Sequence, residues 1–547
     1  MSADDDEPLV DASLTDPIEP DPADFGCLGD GILCNPLRRP HRFIVLAFIC
    51  FLSFGSYFCY DNPAALAPQF KSDLGLEGSD FMLLYSLYSW PNVFLCFIGG
   101  YLIDRVFGIR LGAFLFGLVI LIGQIIFAAG AYLNNRYVMY AGRFVFGLGG
   151  ENLAVAGNTY VVAWFGGREI NTVFGIQLSF SRIGSTVGMV TLLPFYKAIA
   201  SSFGDNKAHL MGTLLMFGAG LCVLSLLASV VLALLDRRAS KILKKEASGT
   251  GESIKLSDIT RFSTATWLIF AICVTYYVAI FPFISLGKLF FEQKFGLTQD
   301  EAGVCNSLVY FIGAVASPLA GILIDRYGRN IAWLLSAILI TSGAHALLAF
   351  TFVHPYVAMV MMALAYSMCA SALWPMVSLV VPEYQLGTAY GMMQSIQNLG
   401  LALVSIASGT IVGKYGYFLL SLQFMAWLAL SAVCILMLWG WDSANGGYLN
   451  ASPAKRKEMN EAEIRSVLEG EDYREPLISD NSVLDVSQTF RSSTARGLRS
   501  KYLTRIEGGN QNDFTRSAEF HRSLADRSIN LGQSYQFSSN ANRGLLK

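Results

Sequence analysis

Two ionisable side chains stand deep inside long apolar runs: Glu151 in the stretch 137–165 and Arg182 in the stretch 171–196. A charge near the centre of a bilayer costs about 2.5–3.5 kcal/mol on insertion scales, so such a residue is a functional candidate by default. At a helical rise of about 1.5 Å per residue, Glu151 lies ~21 Å and Arg182 ~17 Å from the boundary between their two stretches. Consecutive antiparallel helices therefore bring opposite charges to similar depth. Two chemistries fit. One is a structural ion pair joining the helices. The other is a ligand site in which Glu151 receives a protonated amine and Arg182 holds a carboxylate in a bidentate fork. The ligand would then be a small zwitterion, an amino acid or a short peptide.

Other side chains are candidates on weaker grounds. Lys288 stands near the far end of a long apolar run, where it snorkels or serves as a gate or carboxylate contact. Asp61, in Tyr60-Asp61-Asn62-Pro63, is a gate or an ordinary helix end, with Pro63 distorting the backbone. Tyr57, Trp90, Tyr276 and Trp374 line a path or simply pack. Asn398 and Gln394 are hydrogen-bond donors in the second half of the chain. The ten cysteines are scattered through apolar runs without paired spacing, which is neither a disulfide framework nor a zinc site. No cofactor or metal is expected, and no catalytic constellation points to an enzyme.

The elements that carry these residues are membrane helices. Hydrophobic residues make up 53 % of the chain and charged residues 15 %, against about a quarter charged in soluble proteins. At about 20 apolar residues per crossing, twelve spans are expected. They begin at 42–62, 80–103, 111–132, 137–165, 171–196 and 210–236, and resume at 264–290, 303–324, 330–352, 355–381, 387–413 and 416–441. The domains are therefore a 1–41 tail, a 42–236 six-helix half, a 237–263 central loop, a 264–441 six-helix half and a 442–547 tail. The acidic start Asp4-Asp5-Asp6-Glu7 is unlike a cleavable signal peptide. Arg38, Arg39, Arg42, Arg105, Arg110, Arg168, Arg237, Arg238, Arg326 and Arg329 collect on one side, which makes both termini and the central loop cytosolic. The 442–547 tail is too polar to bury a core and is expected to be largely disordered, with a short charged helix near Pro453–Leu468. Its cations read as a solvated tail and not a nucleic-acid surface.

Internal repeats organise the spans. Gly100-Tyr-Leu-Ile-Asp104-Arg105-Val-Phe-Gly108-Ile-Arg110 is echoed by Gly321-Ile-Leu-Ile-Asp325-Arg326-Tyr-Gly328-Arg329, at the same place in each half. Thr172-x-x-Gly175-x-x-x-Ser179 is echoed by Thr388-x-x-Gly391-x-x-x-Ser395, a small-residue spacing that lets helices approach closely. The duplicated Gly-x-x-x-Asp-Arg pattern resembles the loop signature of the major facilitator superfamily. That resemblance implies an all-α membrane protein with two pseudo-symmetric six-helix halves that alternate access to a central site. It implies that Asp104, Arg105, Asp325 and Arg326 lock the cytosolic helix ends. Arg143, in Gly142-Arg143-Phe-Val-Phe-Gly147, is similar to the family's fourth-helix arginine, whose role is structural or coupling. In the repeat register Arg182 falls opposite Asn398, and the tenth span lacks a central carboxylate. The charges thus break the symmetry, as recognition of a charged ligand would.

Gly55-Ser-Tyr-Phe-Cys-Tyr-Asp-Asn-Pro-Ala-Ala-Leu66, Tyr88-Ser-Trp-Pro-Asn92, Gly149-Gly-Glu-Asn-Leu-Ala-Val155, Ala372-Leu-Trp-Pro-Met376 and Gln385-Leu-Gly-Thr-Ala-Tyr-Gly391 resemble one branch of that superfamily, the lysosomal dipeptide transporters. The resemblance implies movement of dipeptides from lumen to cytosol as a uniporter, with Glu151 and Arg182 at substrate-contact positions. It also implies an acidic dileucine sorting signal read by adaptors, here Asp5-Asp6-Glu7-Pro8-Leu9-Val10 with Val10 in the last place, and a heavily glycosylated accessory subunit, glycosylated lysosomal membrane protein. The only Asn-x-Ser/Thr site, Asn450-Ala-Ser452, falls in the tail, consistent with a borrowed sugar shield. Two alternatives remain at this level: proton-coupled export of amino acids or organic anions, and a transport-inactive scaffold or nutrient sensor.

Overall fold

A computed structural model describes residues 35–36, 39–76, 78–165, 169–242 and 262–468. The sorting stretch with Asp5, Leu9 and Val10, the loop residue Arg168, most of the central loop and the tail beyond Leu468 lie outside the described residues.

The first half contains α1 (Arg39–Tyr60), the short α2 (Asn62–Ala65) and α3 (Ala67–Leu74), then α4 (Gly78–Leu102), α5 (Gly108–Tyr132), α6 (Arg136–Phe165), α7 (Ile170–Phe203) and α8 (Lys207–Ile242). The second contains α9 (Thr264–Phe295), α10 (Gln299–Tyr327), α11 (Asn330–Phe350), α12 (Pro355–Val380) and α13 (Leu386–Ala444), followed by α14 (Pro453–Leu468). The 59-residue α13 is two helices end to end, bent where Gly416 adopts φ 81° and ψ −177°, a conformation that only glycine enters without strain. Among the described residues this gives twelve long helices, six in each half. Helices α7, α8 and α9 run several residues past the ends expected from apolar content.

Nine stretches among the described residues are long and apolar enough to cross a membrane, and two of them, Leu83–Tyr132 and Leu386–Ala444, each hold two helices. The remaining long helix, α6, is absent from that set. Its middle carries Arg143, Glu151, Asn152 and Asn158, and most of its residues are buried against neighbouring helices. A helix sheltered from lipid tolerates polarity that a lipid-facing one would not.

We call the face carrying the start of α1, the end of α8 and the end of α13 the terminal face. Between halves, α4 packs on α13 and α7 packs on α10. Both seams run on glycine. A Cβ on Gly100 would collide with the Gly387 carbonyl, one on Gly391 with the Cys96 carbonyl, one on Gly175 with the Ser317 carbonyl and one on Gly321 with the Asn171 carbonyl. The Thr-x-x-Gly-x-x-x-Ser repeat is this interface. Ser395 Oγ accepts from the Phe97 amide at 3.0 Å, and Ser179 Oγ donates to the Ala314 carbonyl in the matching place.

The tail begins with folded structure. Asp442 accepts from the amides of Leu449 at 2.8 Å and Asn450 at 3.0 Å, turning the chain back onto the terminal face. There the Arg329 amide donates to the Ala451 carbonyl at 3.3 Å. The domain edge expected at 442 therefore lies short of the folded region, which includes α14.

Candidate functional site

Glu151 sits halfway along α6, half-buried. Its Oε1 accepts from Tyr88 Oη of α4 at 3.0 Å, and its Oε2 accepts from Gln394 Nε2 of α13 at 2.7 Å. Both partners are neutral donors. Arg182 on α7 is 6 % exposed. Its Nη1 donates to Ser317 Oγ on α10 at 2.6 Å and to Ser367 Oγ on α12 at 3.4 Å, and its Cζ lies 4.3 Å from the Tyr366 ring centroid. Its Nη2 is buried without a hydrogen-bond partner.

The two charges therefore do not pair with one another, which removes the structural ion pair as the reason for their retention. Both charges come from the first half and the second half supplies partners to each: Gln394 serves Glu151, while Ser317, Ser367 and Tyr366 serve Arg182. Tyr57 on α1 stands within electrostatic reach of Glu151, Arg182 and Tyr366, so it borders the space between the charges. Tyr310 on α10 is within similar reach of Arg182 and Tyr366. Buried cations are normally paired. A guanidinium given two hydroxyls, one ring face and an open nitrogen is suited to a carboxylate that arrives and leaves.

The remaining candidates are distributed as follows. Trp374 belongs to the α12 core; its Nε1 donates to Tyr277 Oη at 2.9 Å and its ring stacks on Tyr390. Tyr277 in turn meets Tyr366 edge-on at 6.0 Å, so Trp374 backs the ring that faces Arg182. Asn398 Nδ2 donates to the Gln394 carbonyl at 3.0 Å, one helical turn away, and lies 4.0 Å from Cys96 Sγ. Lys288, half-buried near the far end of α9, makes no ion pair among the described residues. Asp61 precedes α2 without capping it.

The loop aspartates join the halves. Asp104 accepts from the amides of Gly387 at 2.9 Å and Thr388 at 2.5 Å, and from Thr388 Oγ1 at 2.7 Å. Asp325 accepts from the amides of Asn171 at 3.1 Å and Thr172 at 2.7 Å, and from Asn171 Nδ2 at 2.7 Å. Each carboxylate of one half thus caps a helix N-terminus of the other, where free amides and the helix dipole favour negative charge. Arg105 and Arg326 are exposed and lie over tyrosines of their own segments, Tyr101 and Tyr327. The cross-half hydrogen bonds run from the depth of Glu151 and Arg182 to the terminal face.

Arg143 is fully buried. It donates to the carbonyls of Cys59 at 3.2 Å and Tyr60 at 2.8 Å, among the rings of Tyr60, Tyr85, Tyr88, Phe127 and Phe146. It holds the end of α1, where Pro63 follows. Sequence reasoning missed Tyr88, Ser317, Ser367, Tyr366 and Tyr310. Hydroxyl and aromatic side chains are ordinary in membrane helices, and only their convergence in space marks them.

Comparison with known proteins agrees with this architecture. The chain is 54 % identical over 431 residues to the lysosomal dipeptide transporter MFSD1 of Danio rerio, covering 79 % of this chain and 94 % of that one. It is 53 % identical over 427 residues to the Homo sapiens protein of the same name, covering 78 % and 92 %. Among solved structures it resembles the transporter FucP in the outward conformation, with a TM-score of 0.58, 16 % identity and coverage of 73 % of this chain and 99 % of that one. It also resembles the human organic anion transporter MFSD10, with a TM-score of 0.53, 15 % identity and coverage of 73 % and 99 %. The model of the Major Facilitator Superfamily matches residues 47–298 and 268–484, and the chain is a member of that superfamily, a family of transporters and not of enzymes.

Proposed function

We propose that this protein moves dipeptides from the lysosomal lumen to the cytosol as a uniporter, by alternating access. The observation that carries the reading is the separation of Glu151 and Arg182: each charge is held by neutral groups, and Arg182 keeps one buried nitrogen open. A dipeptide's ammonium is received by Glu151 and its carboxylate by Arg182, with Tyr57 and Tyr366 bordering the space between. The names of its similar relatives support the cargo and the compartment. Lys288 and Asp61, toward the face opposite the termini, serve as contacts along the luminal entry.

The terminal face is cytosolic in this reading. The glycine seams and the Asp104 and Asp325 caps hold it shut, and their rupture opens the route to the cytosol. Cargo drawn to Glu151 and Arg182 acts on charges that second-half groups hold, and this couples it to that change. Sorting through Asp5, Leu9 and Val10 by adaptors, and a glycosylated accessory subunit that shields the luminal loops, complete the proposal.

Proteoliposomes loaded with one dipeptide and given a labelled second one test it. The wild type exchanges the two without an imposed pH gradient. Glu151→Gln and Arg182→Ala each lower exchange by about tenfold or more, since each removes a charge-assisted bond worth about 1.5–3 kcal/mol. Unimpaired exchange in both variants refutes the assigned roles, and exchange that requires a proton gradient favours proton-coupled export instead.

A further inference from the structure

The two aspartate caps are built alike but braced differently. In the second, Asn171 contributes its side chain as well as its amide to Asp325. In the repeat register its counterpart in the first is Gly387, which has only an amide to give. Asn171 Oδ1 accepts in turn from Asn330 Nδ2 at 2.9 Å, across the halves, and Asn330 is completely buried. Asn330 Oδ1 then accepts from Arg456 Nη2 at 2.9 Å. Arg456 belongs to α14, outside the membrane helices. The same guanidinium donates to the carbonyls of Tyr448 at 2.9 Å and Leu449 at 2.6 Å, so it is clamped to the turn that Asp442 organises. Burial pushes the Arg456 guanidinium down from its usual value, while Tyr448, Asp442 and Asp325 pull it back up.

The first half spends its corresponding groups otherwise. Asp236, at the end of α8 as Asp442 is at the end of α13, holds Arg110 and accepts from Trp164 Nε1 at 3.0 Å. That arrangement is closed within one half. Among the described residues, only the Asp325 cap is wired, through Asn171 and Asn330, to a segment beyond the membrane.

We propose that Arg456 is a positioning residue of the gate: the post-membrane strap 445–468 stabilises the closed terminal face by holding Asn330 against Asn171 and Asp325. Asn330 can serve Asn171 as donor only while its amide plane is fixed, and Arg456 fixes it from the other side. A change in the strap therefore reaches the gate without touching the cargo site. The inference rests on the alternating access proposed above.

Cys96 is a native reporter, fully buried in the α4–α13 seam, and it is exposed when the seams part. The full-length chain in lipid nanodiscs is treated with a polar maleimide, and labelling of the Cys96 peptide is followed by mass spectrometry. Arg456→Gln is expected to raise the rate roughly fivefold or more, the scale of a modest coupling free energy. Arg456→Lys, which keeps the charge but loses the fork, falls in between and serves if the glutamine variant does not fold. Combining Arg456→Gln with Asn330→Ala is expected to add little to either change alone. Equal Cys96 rates in wild type and both Arg456 variants overturn the proposal, as do fully additive effects of Arg456→Gln and Asn330→Ala. A wild-type rate that no dipeptide alters would count against alternating access instead.

Discussion

Arg143 and Arg182 are both buried guanidinium groups near the middle of the first half, and the protein holds them with different partners. Each leaves one buried nitrogen without a hydrogen-bond partner, but Arg143 is tied to two main-chain carbonyls within a surround of rings, whereas Arg182 meets only serine hydroxyls and one ring face. The first arrangement suits a fixed brace and the second a site that waits for a ligand. Replacing each by methionine separates them. Arg143→Met leaves the Cys59 and Tyr60 carbonyls without their donor, at a cost of about 1–3 kcal/mol, and lowers the thermal midpoint in detergent. Arg182→Met removes a buried charge and strands no main-chain carbonyl, since its partners Ser317 and Ser367 keep their own bonds to Gly313 and Ala363, so its midpoint is equal to or above the wild type's while exchange is lost, the usual trade between stability and activity. Equal destabilisation by both would contradict the division. Glu151 and Arg182 were legible in the sequence because a charge in an apolar run is costly. Their partners were not, since Ser317 and Ser367 stand 135 and 185 residues from Arg182 and neither residue type is unusual in a membrane helix.

At the scale of elements, helix contact depends on where side chains are missing. Lipid offers no hydrophobic drive for helices to meet, so close backbone approach and dispersion must supply it. Gly100 and Gly391 face carbonyls across the α4–α13 seam, as Gly175 and Gly321 do across the α7–α10 seam, but Gly220 on α8 has open space around its Cα. Gly100→Ala therefore forces α4 and α13 apart, lowering both the melting midpoint and dipeptide exchange. Gly220→Ala leaves exchange unchanged and is neutral or stabilising by up to about 1 kcal/mol through helix propensity. Comparable losses in the two variants would mean that helix geometry, not the seam, is at stake. The repeat made the small residues visible beforehand. It did not reveal that each copy packs on the opposite half, because periodicity records which face of a helix is small and not what lies against it. Helix α6 shows the same limit from the other side: its polar middle lowers its hydropathy, yet helices on its flanks shelter it.

For the whole molecule, the question is how two separate caps govern one face. The halves and their twofold relation could be read from the duplicated loops, but the cross-over of Asp104 to Thr388 and of Asp325 to Thr172 is a property of assembly. Under the alternating access proposed above, rigid halves that rock as units must break both caps in the same step, so the free energies of the caps enter the closed state as a sum. Asp104→Asn and Asp325→Asn each retain size and one acceptor oxygen while losing the charge that answers the helix N-terminus, a change of about 0.3–1 kcal/mol from the dipole alone and more where the amides are buried. Each variant is therefore expected to raise Cys96 labelling by a few fold. Because the caps share no side chain, their effects should combine as independent terms, and the double variant should show the product of the two increases. A double variant no different from one single would mean that one cap carries the closed face alone, and that the second aspartate is a relic of the duplication. Multiplication, by contrast, requires both halves to move together, since a face that opened seam by seam would let each cap report only on its own side.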